Sequence, residues 1–204
     1  MSVPNPLVTA DNYLAFERQA EERHQFIDGQ IFAMAGESLN HSTICMNIGG
    51  ELRNQLKSKS CRTLSPNMKI RTGPMLGRST KGMFSYADVT VVCGEPQFHD
   101  RFQDVLLNPT LIVEVLSPST EAFDRGDKFY RYRTQLDSLT DFLFVATSYP
   151  MVEHYARGEA GQWLYTPVTE WDGVLELPNL GCRLALSEIY DRVVFPVEDA
   201  GDPL

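Results

Sequence analysis

The run Leu111-Ile112-Val113-Glu114-Val115-Leu116 constrains this chain more than any other stretch. Aliphatic and β-branched residues at this density read as a strand buried on both faces. One carboxylate, Glu114, sits in its middle. Burying it ionised costs several kcal/mol unless a cation, a metal or hydrogen bonds compensate. A second strand-like stretch, Ser85-Tyr86-Ala87-Asp88-Val89-Thr90-Val91-Val92, repeats the anomaly with Asp88. Strand alternation puts Tyr86, Asp88 and Thr90 on one face, and Ile112, Glu114 and Leu116 on one face of the next strand. If the two strands are neighbours with Asp88 level with Glu114, the carboxylates come within reach of one shared cation. Without it, each pushes the other's pKa upward. Oxygen-only ligation favours magnesium or manganese over zinc.

The 204 residues suit one domain spanning 1–204 with a full core and are short for two, with loosely ordered termini outside about 10–193. Hydrophobic residues at 43% and charged residues at 22% are those of an ordinary folded chain. No apolar run approaches the roughly 20 residues a membrane span needs. The start Met-Ser-Val-Pro-Asn-Pro lacks the basic and apolar regions of a signal peptide. Cys45, Cys61, Cys93 and Cys182 are scattered without a close pair, which reads as reduced thiols and a cytoplasmic location.

The net charge of −9 argues against a general nucleic-acid coat, since such binding is mostly phosphate neutralisation. Residues 53–81, however, carry eight basic side chains (Arg53, Lys57, Lys59, Arg62, Lys69, Arg71, Arg78, Lys81) and no acid. This segregation makes either a local phosphate-attracting face or a solvated helix end and hairpin.

Asp11 suits the cap of a short first helix, and Asp28-Gly29 between apolar runs predicts a tight β-hairpin. Ser38 or Asn40 can cap a longer helix in which Ile44, Ile48, Leu52 and Leu56 share a face. Strands are expected over 63–72, 83–93, 111–116 and 142–146, and Asp124 is read as the cap of a basic helix holding Lys128 and Tyr132. From Val152 the alternation predicts an antiparallel meander closed by a short helix. The fold class is α/β: a mixed β-sheet flanked by helices, with an antiparallel C-terminal extension.

An Asp at a strand end, a Glu in the next core strand and a basic residue after it resemble the PD-(D/E)-x-K nuclease superfamily. More closely, the chain resembles the Uma-two family of restriction-endonuclease-like proteins over about residues 10–193. The residues that carry the likeness are Tyr13-Leu14, Phe26-Ile27-Asp28-Gly29, Met34-Ala35-Gly36, His41, Ala87-Asp88-Val89, Glu114-Val115-Leu116-Ser117-Pro118-Ser119-Thr120, Asp124-Arg125, Lys128, Tyr132, Trp163 and Ile189-Tyr190. Three positions depart from the pattern. Ala87 replaces the Pro before the Asp. Leu116 stands where a Lys is expected, and Lys128 takes that role. Gln25 stands where the family often has Glu.

The resemblance implies a restriction-endonuclease-like core. It also implies a magnesium- or manganese-dependent nuclease acting on DNA, and a homodimer. In it Asp88, Glu114 and the backbone carbonyl of Val115 hold the metal. Lys128 orients water or neutralises transition-state charge, Gln25 positions water, and His41 points a donor at phosphate. The plainer readings are a structural Glu114 ion pair with Lys128 or Arg125, a turn role for Asp88, and a helix-start role for His41. His24, His99 and His154 read as solvent-facing. A non-catalytic nucleic-acid-binding or assembly module on a nuclease scaffold is the competing function, followed by a hydrolase of small phosphate esters.

Overall fold

The computed structural model describes residues 6–196, so the expectation for the extreme termini lies outside the described residues. Helix α1 (Ala10–Glu17) is capped by Thr9, whose side chain accepts the Asn12 N–H; Asp11 lies one residue inside the first turn and is not the cap. The hairpin of β1 (His24–Ile27) and β2 (Gln30–Ala33) turns at Asp28 (φ 45) and Gly29 (φ 88). Positive φ at both central positions is what the expected Asp-Gly turn requires. Asp28 also accepts the Gly82 N–H at 2.9 Å and pairs with Arg131 at 2.7 Å.

Ser38 caps α2 (Leu39–Leu56), as its side chain accepts the His41 N–H. Each of the two strand stretches expected next divides in two. They become β3 (Cys61–Leu64) with β4 (Lys69–Thr72), and β5 (Met83–Tyr86) with β6 (Val89–Cys93). The second division falls at Ala87-Asp88, where the chain leaves one sheet for another. The polar loop that follows contains a two-residue strand, β7 (Val105–Leu106). Then comes β8 (Leu111–Val115), all five residues buried.

Helix α3 (Glu121–Phe123) runs through a turn (Asp124–Lys128) kinked at Gly126 into α4 (Phe129–Gln135). Asp124 is therefore inside a helical stretch rather than at its cap. The remaining elements are β9 (Asp141–Val145), β10 (Val152–Arg157), β11 (Trp163–Val168), β12 (Val174–Leu177), β13 (Cys182–Ala185) and the single-turn α5 (Leu186–Ile189).

The strands form two mixed sheets and a hairpin: β2-β1-β5-β4-β7, β11-β10-β9-β8-β6-β3 and β12-β13. In the six-stranded sheet β8 and β9 are parallel, and the helical segment from Glu121 to Gln135 supplies the crossover that parallel neighbours need. The expected C-terminal antiparallel extension is present as β9-β10-β11 and β12-β13.

Ile44, Ile48, Leu52 and Leu56 of α2 pack on Val89, Val91, Val113, Val115, Leu143 and Val145. Ile112, Phe142 and Phe144, of opposite parity, face Phe129, Tyr132 and Leu136 on the other side. The six-stranded sheet is thus covered by helices on both faces, and each fully buried aliphatic side chain contributes about 1.5–3 kcal/mol. Glu114 has the parity of Ile112 and points to the α4 side.

Three sequence expectations are corrected by this packing. Cys61 and Cys93, 32 residues apart, are register partners across β3 and β6 and form a disulfide, so only Cys45 and Cys182 are free thiols. The cysteines therefore give no argument for a reducing compartment. His24, His99 and His154 are partnered rather than free in solvent. His154 is buried and bonds Asp141 at 2.8 Å, His24 bonds Glu17 at 3.1 Å, and His99 contacts the Arg71 guanidinium at 2.8 Å. The basic stretch also does not form one face. Lys69 is buried with Asp104 at 3.2 Å, Arg71 is buried, and Lys59 donates to the carbonyls of Leu180 and Gly181.

Candidate active site

Glu114 is 2% exposed, and the register Val89↔Val113 and Thr90↔Ile112 continues to place Asp88 level with it. Asp88 sits one residue before β6, at the passage between the two sheets. Its Oδ2 accepts the Val115 N–H at 2.7 Å, so the two carboxylates are joined through one peptide unit. Its Oδ1 accepts from His41 Nε2 at 3.0 Å. His41 comes from the first turn of α2, held there by the Ser38 cap.

On the other side Lys128 Nζ lies 2.8 Å from Glu114 Oε2 and 3.0 Å from Asp124 Oδ1. All three groups are at most 5% exposed. Asp124 and Lys128, four residues apart on either side of the Gly126 kink, are both buried. One ammonium thus serves two buried carboxylates. Glu114 Oε1 has no hydrogen-bond partner.

The electrostatics follow from this count. Burial drives the Glu114 carboxyl well above the ordinary range; Lys128 opposes that, while Asp124 and Asp88 add to it. Burial alone would pull the Lys128 ammonium down, but Glu114, Tyr132 and Asp124 outweigh it and hold the proton on Nζ. Burial would also lower His41, yet its bond to Asp88 and the charges of Asp88, Glu37 and Asp124 raise it above 6.5. The cluster gathers three carboxyl groups against one lysine and one histidine, so ionisation of Glu114 leaves a negative surplus that suits a divalent cation.

Asp88, Glu114, Lys128 and His41 are therefore brought together, in two bonded pairs linked by the Val115 N–H. Gln25 is not bonded to any of them. Extending the register Phe26↔Phe84 by one residue puts Gln25 across from Ser85 on β5, and Ser85 bonds the buried Tyr132 hydroxyl at 2.8 Å. Gln25 thus shares the sheet face that carries Tyr132, and its Oε1 is buried without a partner. Two further residues belong to the site: Asp124, which the sequence reads as a helix cap, and Glu37, which it does not single out. The four-residue spacing of Asp124 to Lys128 and of Glu37 to His41 was the available signal.

Residues 10–187 match the Uma2 family model, described as "Putative restriction endonuclease". The chain belongs to the Uma2 family. The uncharacterized protein slr1290 of Synechocystis sp. is 34% identical over 194 residues, which cover 95% of this chain and 97% of that one. A second Synechocystis protein, the uncharacterized sll1609, is 35% identical over 160 residues, covering 78% and 86%. The crystal structure of "a putative nuclease belonging to DUF820" from Anabaena variabilis superposes with a TM-score of 0.72 at 14% identity, covering 92% of this chain and 99% of that chain. That likeness establishes the fold. The Uma2 chain is thus restriction-endonuclease-like, with helices against mixed sheets. Among the described residues no helix is long and apolar enough to cross a membrane.

Proposed function

We propose that this Uma2 protein is a magnesium- or manganese-dependent DNA endonuclease whose centre is the Asp88–Glu114–Lys128 cluster. The observation that carries the reading is the buried Glu114 carboxylate with a free Oε1, sharing one lysine with Asp124 beside Asp88. The donor set fits a hard cation. Asp88, Glu114 and the Val115 carbonyl offer oxygen only, and the surplus negative charge is what a divalent ion offsets. When bound, the cation would polarise the scissile phosphate and favour an attacking hydroxide at neutral pH.

The chain's own groups then have distinct tasks. Lys128 spends two of its three N–H donors on Glu114 and Asp124. The third is free to hold a phosphate oxygen or the attacking water, and its charge opposes the negative charge that develops on phosphorus. His41, oriented by Asp88, keeps its proton to higher pH than a free imidazole and can donate to phosphate or to the leaving oxygen. Gln25 can place a water by hydrogen bonding but cannot take its proton.

A homodimer offers the two cuts that duplex DNA requires, and we take residues 1–204 as one domain. Gln25, neutral where the resemblance expects Glu, favours one other reading: a nucleic-acid-binding or assembly module without cleavage. Supercoiled DNA with magnesium or manganese separates the two. The nuclease gives nicked and linear products that disappear in Glu114→Gln. The module gives salt-sensitive binding that survives Glu114→Gln, with no product in any metal.

A further inference from the structure

A second group of donors adjoins the Asp88–Glu114 pair. His41 and Cys45 lie one turn apart on one face of α2, and Glu37 comes from the segment just before the Ser38 cap. Their ligand atoms all lie within 4.8 Å of one another. His41 Nε2 is 3.7 Å from Glu37 Oε2 and 3.0 Å from Asp88 Oδ1. Bonds of ~2.0–2.3 Å in a tetrahedral zinc site set neighbouring ligand atoms about 3.3–3.8 Å apart. Asp88 stands outside that group of three and meets it through His41.

We propose that Glu37, His41 and Cys45, with Asp88 as fourth donor, form a thiolate-containing site for a borderline-soft divalent cation, zinc being the best match. A His–Asp hydrogen bond alone needs neither Glu37 nor Cys45. A coordinated cation takes Cys45 as the thiolate, and its proton passes to solvent. The N-terminus of α2 opposes a cation with only about half a positive charge. Two carboxylates and a thiolate outweigh it.

The consequence, which rests on the nuclease reading above, is antagonism. Zinc held here engages Asp88 and His41 and so withdraws both from the oxygen-only site. Affinity for nitrogen and sulfur donors also rises toward zinc along the divalent series, so magnesium does not compete.

Cobalt titration of the full-length, chelator-treated protein with the Cys61–Cys93 disulfide intact tests the site without reference to cleavage. The expected result is a thiolate-to-cobalt charge-transfer band that saturates near one equivalent, is removed by zinc and resists excess magnesium. Cys45→Ser abolishes the band, which separates Cys45 from every other thiol. Glu37 is exposed, so Glu37→Gln leaves the fold alone and weakens cobalt binding by at least about tenfold. Glu114→Gln and Cys182→Ser retain the band. No band, or one that survives Cys45→Ser, overturns the proposal and leaves the nuclease reading standing. A band in a protein that never cuts DNA supports the site and removes only the antagonism.

Discussion

Glu114 holds a buried carboxylate with one oxygen on Lys128 and the other on nothing. Its folded pKa is raised above 4.5, so the proton is bound more tightly in the folded chain than in the unfolded one. Its contribution to stability is therefore fully present below about pH 4.5 and is lost as pH rises through the folded value. Gln is neutral throughout. In chelator, Glu114→Gln should gain stability relative to wild type as pH rises, and urea unfolding at a series of pH values reads this directly. A constant difference across the series would contradict the raised pKa. Lys128→Met leaves two buried carboxylates with no cation and should cost about 3–5 kcal/mol in the same assay. A loss below about 1 kcal/mol would mean that water or another group already neutralises them. These residues were legible because a charge inside a two-sided apolar strand is conspicuous in one dimension. Asp124 was not. A carboxylate near a helix start has an ordinary reading as a cap, and only the folded contact shows it paired with Lys128.

The elements matter because each delivers one donor to one place. Helix α2 supplies His41 from its first turn, and the Ser38 hydroxyl fixes that turn by accepting the His41 N–H at 3.2 Å. Ser38→Ala should cost about 1 kcal/mol, as loss of a helix cap does. It should also narrow the pH range over which His41 keeps its proton, since the ring is then held less firmly on Asp88; the imidazole NMR titration measures this. An unchanged titration midpoint would show that Asp88 alone positions the ring. The hairpin turn, the long face of α2 and the core strands could be read from Asp-Gly chemistry and from periodicities of 3.6 and 2. Pairings between distant segments could not. Nothing in the spacing of Cys61 and Cys93 reveals that β3 and β6 are neighbours in register, or that the chain changes sheets at Asp88. That change of sheet frees Asp88 from strand alternation. It lets one side chain reach both α2 and the Val115 peptide.

At the scale of the whole molecule, a chain of net charge −9 also concentrates acid at its candidate site. The positive charges of residues 53–81 are divided among the Lys69 ion pair, the buried Arg71, positions around the end of α2 and β3, and Arg78 and Lys81 in the loop before β5. Arg53, Lys57 and Arg62 line one hollow at the end of α2, and none of the eight pairs with Asp88 or Glu114. A bound cation has to offset that acidity if phosphate is to approach. The central claim is that the Asp88–Glu114 pair exists to hold that cation. Calorimetric titration of the chelator-treated protein with magnesium and manganese tests it most directly. The expected result is saturable binding in the millimolar range or tighter, with an affinity that rises with pH as Glu114 loses its proton and is lost in Asp88→Asn and Glu114→Gln. No binding of either ion up to millimolar concentrations, or binding unchanged in both variants, would contradict it.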